Sequence, residues 1–258
     1  MAQVSLFLTA AFAVTWGLCF ALRPTAMQGG LGVLLEWLLP TVWTPTLIAL
    51  TFALWSNGAV GVKQEIRRLS LRREARRWFA VAAVFPALVT AIAVWIGRMA
   101  GDAGPFIAPG AIPTMVTFQF VTGAVGEELG WRGFLLPRLS KRFGEISAVW
   151  LAAALWSLWH VAGFFFPGTP HYQFIPPVPF LVSVALFGVL LGFIFNRSGG
   201  SVLTTILAHL SLNISLGVGG VSLSSRVFWS VAVGMYGAVA LFATLKLGSA
   251  ATERGKDA

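Results

Sequence analysis

Cysteine occurs once in this chain, at position 19, which excludes a disulfide framework and any metal site built from cysteine pairs. Cys19 lies within an apolar run and reads as a small buried hydrophobe. Charge is scarce too: Asp, Glu, Lys and Arg make up 10% of the 258 residues, against roughly 25% in a soluble domain. Aspartate is confined to Asp102 and Asp257, a loop and the tail, so no aspartate pair can work inside an apolar segment. Long polar stretches are missing, which leaves no room for a separate soluble domain.

Hydrocarbon takes their place. The chain is 57% hydrophobic, with 11 Trp, 21 Phe and a mean hydropathy of +0.81. Eight apolar stretches approach the ~20 residues a spanning helix needs: 4–22, 31–54, 78–98, 113–138, 146–166, 178–196, 201–218 and 226–247. The expected fold class is all-α, a polytopic membrane helix bundle of about eight transmembrane helices forming one domain over residues 1–258. Residues 4–22 contain Ala11-Phe12-Ala13, which mimics a signal-peptide cleavage site. No Lys or Arg precedes Arg23, so the segment is expected to remain as the first membrane helix.

The net charge of +9 has no soluble basic domain to present it, so no nucleic-acid partner is expected. The basic residues read instead as topology determinants. Lys63 to Arg77 holds seven basic and two acidic residues, which predicts a basic cytoplasmic loop over 63–77, read as a solvated helix or a contact with lipid headgroups. If all eight segments span, Arg138, Lys141, Arg142, Arg197, Lys246, Arg254 and Lys256 fall on that same side. Arg23, Arg98 and Arg226 fall opposite. Both termini are then cytoplasmic, and short loops in a compact chain suggest a bacterial inner (plasma) membrane, with endoplasmic reticulum as the fallback.

Against this background Gly126-Glu127-Glu128-Leu129-Gly130-Trp131-Arg132 stands out, placing two carboxylates and a guanidinium where hydrocarbon is expected. Each such charge costs roughly 2.5–3.5 kcal/mol at bilayer mid-depth on insertion scales, so it usually faces a bundle interior and serves a purpose. Gln119, Thr122, Gly123, Gly126, Glu127 and Gly130 recur at helical spacing and predict one small or polar face, with Phe118, Phe120 and Val121 projecting elsewhere. Gly126 and Gly130 suit close helix packing. Glu128 lies about 100° round the helix from Glu127 and four residues before Arg132, a spacing that predicts an ion pair. Glu127 is then left to face a reaction centre. Pro137 is expected to bend or end this helix.

The next segment sets Ala153, Trp156, Ser157, His160 and Gly163 on one stripe, and the seventh sets Thr205, His209 and Asn213 four residues apart. Trp156 and Trp159 read as cavity walls or packing. His171 reads as a surface or rim residue, and Gly188 with Gly192 as a helix contact. Glu127, His160, His209 and Asn213 thus form a joint signal on three helices. Carboxylate and imidazole can hold and deprotonate a water while the second imidazole and an amide stabilise an oxyanion. Equally, glutamate with two histidines is a zinc ligand set.

Glu127-Glu128-x-x-x-Arg132, then an aromatic residue four before His160, then His209-x-x-x-Asn213, resembles the CAAX protease and bacteriocin-processing (Abi) family of intramembrane proteases. Its best known members are CAAX prenyl endopeptidases, which remove the last three residues of prenylated proteins. The motif core runs from about 119 to 217. The resemblance implies that Glu127 and His160 activate water, that His209 and Asn213 stabilise the oxyanion, and that Glu128 and Arg132 support the site. It admits both a metal-free mechanism and a zinc enzyme with Glu127, His160 and His209 as metal ligands. Where the family often has Phe, this chain has Trp156, which keeps an aromatic wall. The implied partners are a peptide or membrane-protein substrate and the lipid bilayer.

No His-Glu-x-x-His or Gly-x-Ser-x-Gly occurs, which removes site-2 and rhomboid chemistry. Two other readings stand beside the protease: a proton- or cation-coupled transporter, and a non-catalytic membrane scaffold or bacteriocin-immunity protein.

Overall fold

The computed structural model describes residues 2–27, 31–70, 75–167 and 169–256. The fold is 87% helical, and among the described residues the only β pairing is an isolated bridge, Ala103 to Val221. The helices are α1 (Ala2–Ala21), α2 (Leu31–Ile66), α3 (Arg76–Met99), α4 (Ile112–Gln119), α5 (Val125–Glu128), α6 (Leu136–Trp159), α7 (Pro177–Arg197), α8 (Val202–Val218) and α9 (Arg226–Lys256). Single helical turns at Arg23–Ala26 and Pro170–Gln173 lie between them.

Six helical runs among these residues are long and apolar enough to cross a membrane, and α8, at 17 residues, is a shorter apolar helix. Their outer faces carry large apolar side chains such as Trp55, Trp95 and Val178, each more than 60% exposed, while Glu127, Glu128, Arg132 and His209 are buried. That inversion suits a lipid solvent, and the chain is an integral membrane protein. The fourth and fifth expected spans form one helical run, Pro109–Phe165, of 57 residues. At 1.5 Å per residue it would extend ~85 Å if straight, far beyond a ~30 Å hydrocarbon layer. The run turns back at Gly144, whose φ of 76° is non-helical, and Trp156 returns to touch Glu127.

Two expectations change, at Pro137 and over the 113–138 segment. The 63–77 segment is largely structured: α2 continues to Ile66, Arg67–Leu69 form a 3-10 turn and α3 begins at Arg76, with positions 71–74 outside the described residues. Glu65 is buried there, accepting from Arg68 at 2.9 Å and lying 3.7 Å from Arg138, so the segment is packed onto the bundle. Pro137 does not end its helix. It opens α6, directly after a π-helical stretch, Leu129–Leu135, in the first turn, where a residue without an N–H is tolerated.

The 113–138 segment is likewise not one regular helix, because π-helical stretches at Phe120–Ala124 and Leu129–Leu135 flank the short α5. The wider turns split the expected polar stripe. Gln119, Thr122, Gly123 and Glu127 line a cavity, whereas Gly126 and Gly130 face α2, where an added Cβ would meet Val42 O at 3.1 Å and Pro45 O at 2.5 Å. Phe118, expected to point away, lines the cavity too. Elsewhere α3 packs on α8, α6 and α9 both pack on α7, and α1 packs on α2. Gly188 and Gly192 of α7 admit Ala153 and Val149 of α6, each 2.9 Å from where a Cβ would stand.

Candidate active site

The bundle encloses a cavity of about 530 Å³ reached by Glu127, Trp156, His160, His171, His209 and Asn213. Four of these were singled out as catalytic candidates: Glu127 from α5, His160 from the 3-10 turn that follows α6, and His209 with Asn213 from α8. All four line this one space. Glu128 and Arg132 do not, and lie behind it.

Trp156 joins the parts. Its indole Nε1 donates to Glu127 Oε2 at 2.6 Å, and its backbone carbonyl accepts from His160 Nδ1 at 2.8 Å. Since a carbonyl oxygen can only accept, Nδ1 carries the proton, and Nε2 of a neutral His160 keeps its lone pair. The Trp156 ring also meets both imidazoles edge-on, at 5.0 Å from His160 and 5.3 Å from His209. The Arg132 guanidinium lies 4.2 Å from its centroid. Sequence alone reads Trp156 as a cavity wall or packing residue and not as a donor, although a buried indole N–H usually finds an acceptor.

Glu128 is fully buried, and its Oε1 accepts from Arg132 Nη1 and from His209 Nδ1, both at 2.9 Å. The four-residue spacing anticipates the first bond. The second crosses from α5 to α8 and fixes the His209 ring, leaving its Nε2 as the nitrogen available to the cavity. Asn213 stands one turn further along α8, its Nδ2 3.1 Å from where a Cβ on Gly123 would be. Glycine at 123 is therefore what leaves room for the amide.

His171, read as a surface or rim residue, is half-buried. It lines the cavity, its ring 4.7 Å from Phe180 and 6.4 Å from His160, and burial pushes its pKa down to about 4. Among the described residues no three His, Cys, Asp or Glu side chains gather closely enough to hold a metal ion. Trp156 and Glu128 take up one atom of each of Glu127, His160 and His209, contacts of the kind that also orient a metal-bound imidazole.

Residues 108–215 match the family model for type II CAAX prenyl endopeptidase Rce1-like proteins. The matched segment includes every site residue named above. The chain is also 27% identical over 105 residues to CAAX prenyl protease 2 of Methanococcus maripaludis, an alignment covering 39% of this chain and 39% of the relative. The chain therefore spans well under half the length of the relative it matches.

Proposed function

We propose that this chain is an intramembrane endopeptidase that hydrolyses a peptide bond with a water activated by Glu127 and His160. The observation that carries the reading is the convergence of Glu127, His160, His209 and Asn213, from three helical segments, on one cavity within the membrane.

Glu127 Oε2 is held by the Trp156 indole, so Oε1 and the free Nε2 of His160 take a water between them. As the water oxygen attacks the scissile carbonyl carbon, its proton passes to Glu127, and the negative charge moves to the carbonyl oxygen. Asn213 Nδ2–H donates to that oxyanion. His209 does so through Nε2–H when its ring carries both protons, the Glu128 carboxylate on Nδ1 taking up the imidazolium charge. Collapse of the tetrahedral intermediate breaks the C–N bond, and the leaving amine takes the proton back from Glu127. Arg132 balances Glu128, so the pair supports His209 without entering the cavity.

No step needs a metal ion, and a chelator is expected to leave cleavage unchanged. The substrate is a peptide or membrane protein that reaches the cavity from the bilayer, and the protein sits in a bacterial inner membrane with both termini cytoplasmic. The test is cleavage by purified protein in liposomes. Glu127→Ala and His160→Ala are each expected to lose about 10²–10⁴-fold, the usual worth of general acid–base catalysis, while eluting as folded protein. Loss of cleavage on chelation, restored by zinc, would instead favour the metal reading.

A further inference from the structure

A second groove, of about 790 Å³, lies between α3, α7 and α9 and shares no lining residue with the catalytic cavity. Its walls are ordered by chemistry. At one end stand Arg77, Arg197 and Lys246; Trp78 follows Arg77 directly, and Phe193 and Phe242 each lie one turn in from their cation; beyond them lie Val81, Phe85, Leu190 and Val239. Among the described residues no acidic side chain lines it.

The aromatic layer is a connected set, with Trp78 edge-on to Phe193 at 5.5 Å and Phe193 6.4 Å from Phe242. Arg197 lies 5.4 Å from the Phe193 ring, and its Nη2 donates to the Lys246 carbonyl, tying α7 to α9. Trp78 Nε1 and Arg197 Nε are buried without an acceptor among the described residues. The groove opens sideways, since Phe242 and Leu241 are each more than half exposed.

Cations, then amphipathic aromatics, then hydrocarbon is the order of a phospholipid read from headgroup to acyl chain. We propose that this groove holds one anionic phospholipid, its phosphate between Arg77 and Arg197 and one acyl chain along Phe85, Leu190 and Val239. Phosphate and ester oxygens are the acceptors that the Arg197 and Trp78 N–H groups lack. Zwitterionic lipid fits the apolar part equally and gains less from the cations, so discrimination rests on headgroup charge.

The test is native mass spectrometry of the full chain in mild detergent, mixed with phosphatidylglycerol or phosphatidylcholine of matched chains. Wild type is expected to retain phosphatidylglycerol at least about fivefold more, the scale of one cation's attraction to an anionic surface. Arg77→Gln with Arg197→Gln should reduce retention to the phosphatidylcholine level. Ala238→Trp, which fills the groove from an exposed position and keeps every cation, should also lose it. Equal retention of the two lipids by wild type overturns the proposal. So does undiminished phosphatidylglycerol on Ala238→Trp protein, which would assign the effect to surface charge alone, and so does a dimer that buries the groove.

Discussion

At the scale of single residues, Trp156 holds both halves of the water site, through its side chain to Glu127 and its carbonyl to His160. Trp156→Phe keeps an aromatic ring against the two imidazoles and removes only the N–H. A hydrogen bond to a charged group contributes about 1.5–3 kcal/mol to stability, so the variant should lose thermal stability on that scale, and kcat should fall as well because Glu127 is no longer held in place. Arg132 acts differently, because removing it strands the Glu128 carboxylate in a fully buried place. Arg132→Ala should cost about 3–5 kcal/mol of stability, the usual penalty for halving a buried ion pair. Glu128→Gln in the same protein should recover part of it, since an amide keeps the acceptor for His209 without the unpaired charge. Differential scanning fluorimetry on the three proteins checks this order.

At the scale of elements, the site depends on how α5 is mounted between two π-helical stretches. Gly130 sits with its Cα face on the Pro45 carbonyl of α2, so a Cβ would stand 2.5 Å from that oxygen. Gly130→Ala must push α2 away, and it should cost about 1–3 kcal/mol, as overpacked contacts do. Gly123→Ala, in contrast, meets the Asn213 side chain at 3.1 Å, so it should lower activity more than stability. These elements show where sequence reading stops. The spacing of Glu128 and Arg132 suffices to anticipate an ion pair, because both lie on one helix. Placing Gly126, Gly130 and Glu127 on a single face fails, because π turns change the period and nothing in a count of three and four residues reveals them. The Glu128 to His209 bond is illegible for another reason: it depends on the register between α5 and α8, which only packing sets.

At the scale of the whole molecule, composition alone is enough to specify a helical membrane bundle, and the charged residues fall into two groups that the fold keeps apart. Glu65, Arg68 and Arg138 meet at one end, and Arg197 with Lys246 meet through a hydrogen bond. Arg98 is bound at the loop pairing Gly104 with Gly220. Between them the bundle encloses its buried charges and the cavity, the arrangement expected when ionisable groups in a membrane have work to do. A transporter needs polar groups leading to both faces. The helices α3 and α9 give the cavity few such side chains, chiefly Thr90 and Tyr236, and these two share a hydrogen-bond distance of 3.4 Å. That lining fits a reaction chamber better than a path across the bundle.

The most direct measurement is a mass-spectrometric comparison of membrane-protein termini in cells expressing wild type or Glu127→Gln protein at matched levels. The substitution preserves size and an acceptor for the Trp156 indole while removing the carboxylate that takes the proton. The account predicts new termini with wild type alone, in proteins that the purified enzyme then cleaves in liposomes. Identical terminal profiles from two folded, equally abundant proteins would contradict it, and would leave the buried charges to transport or scaffolding.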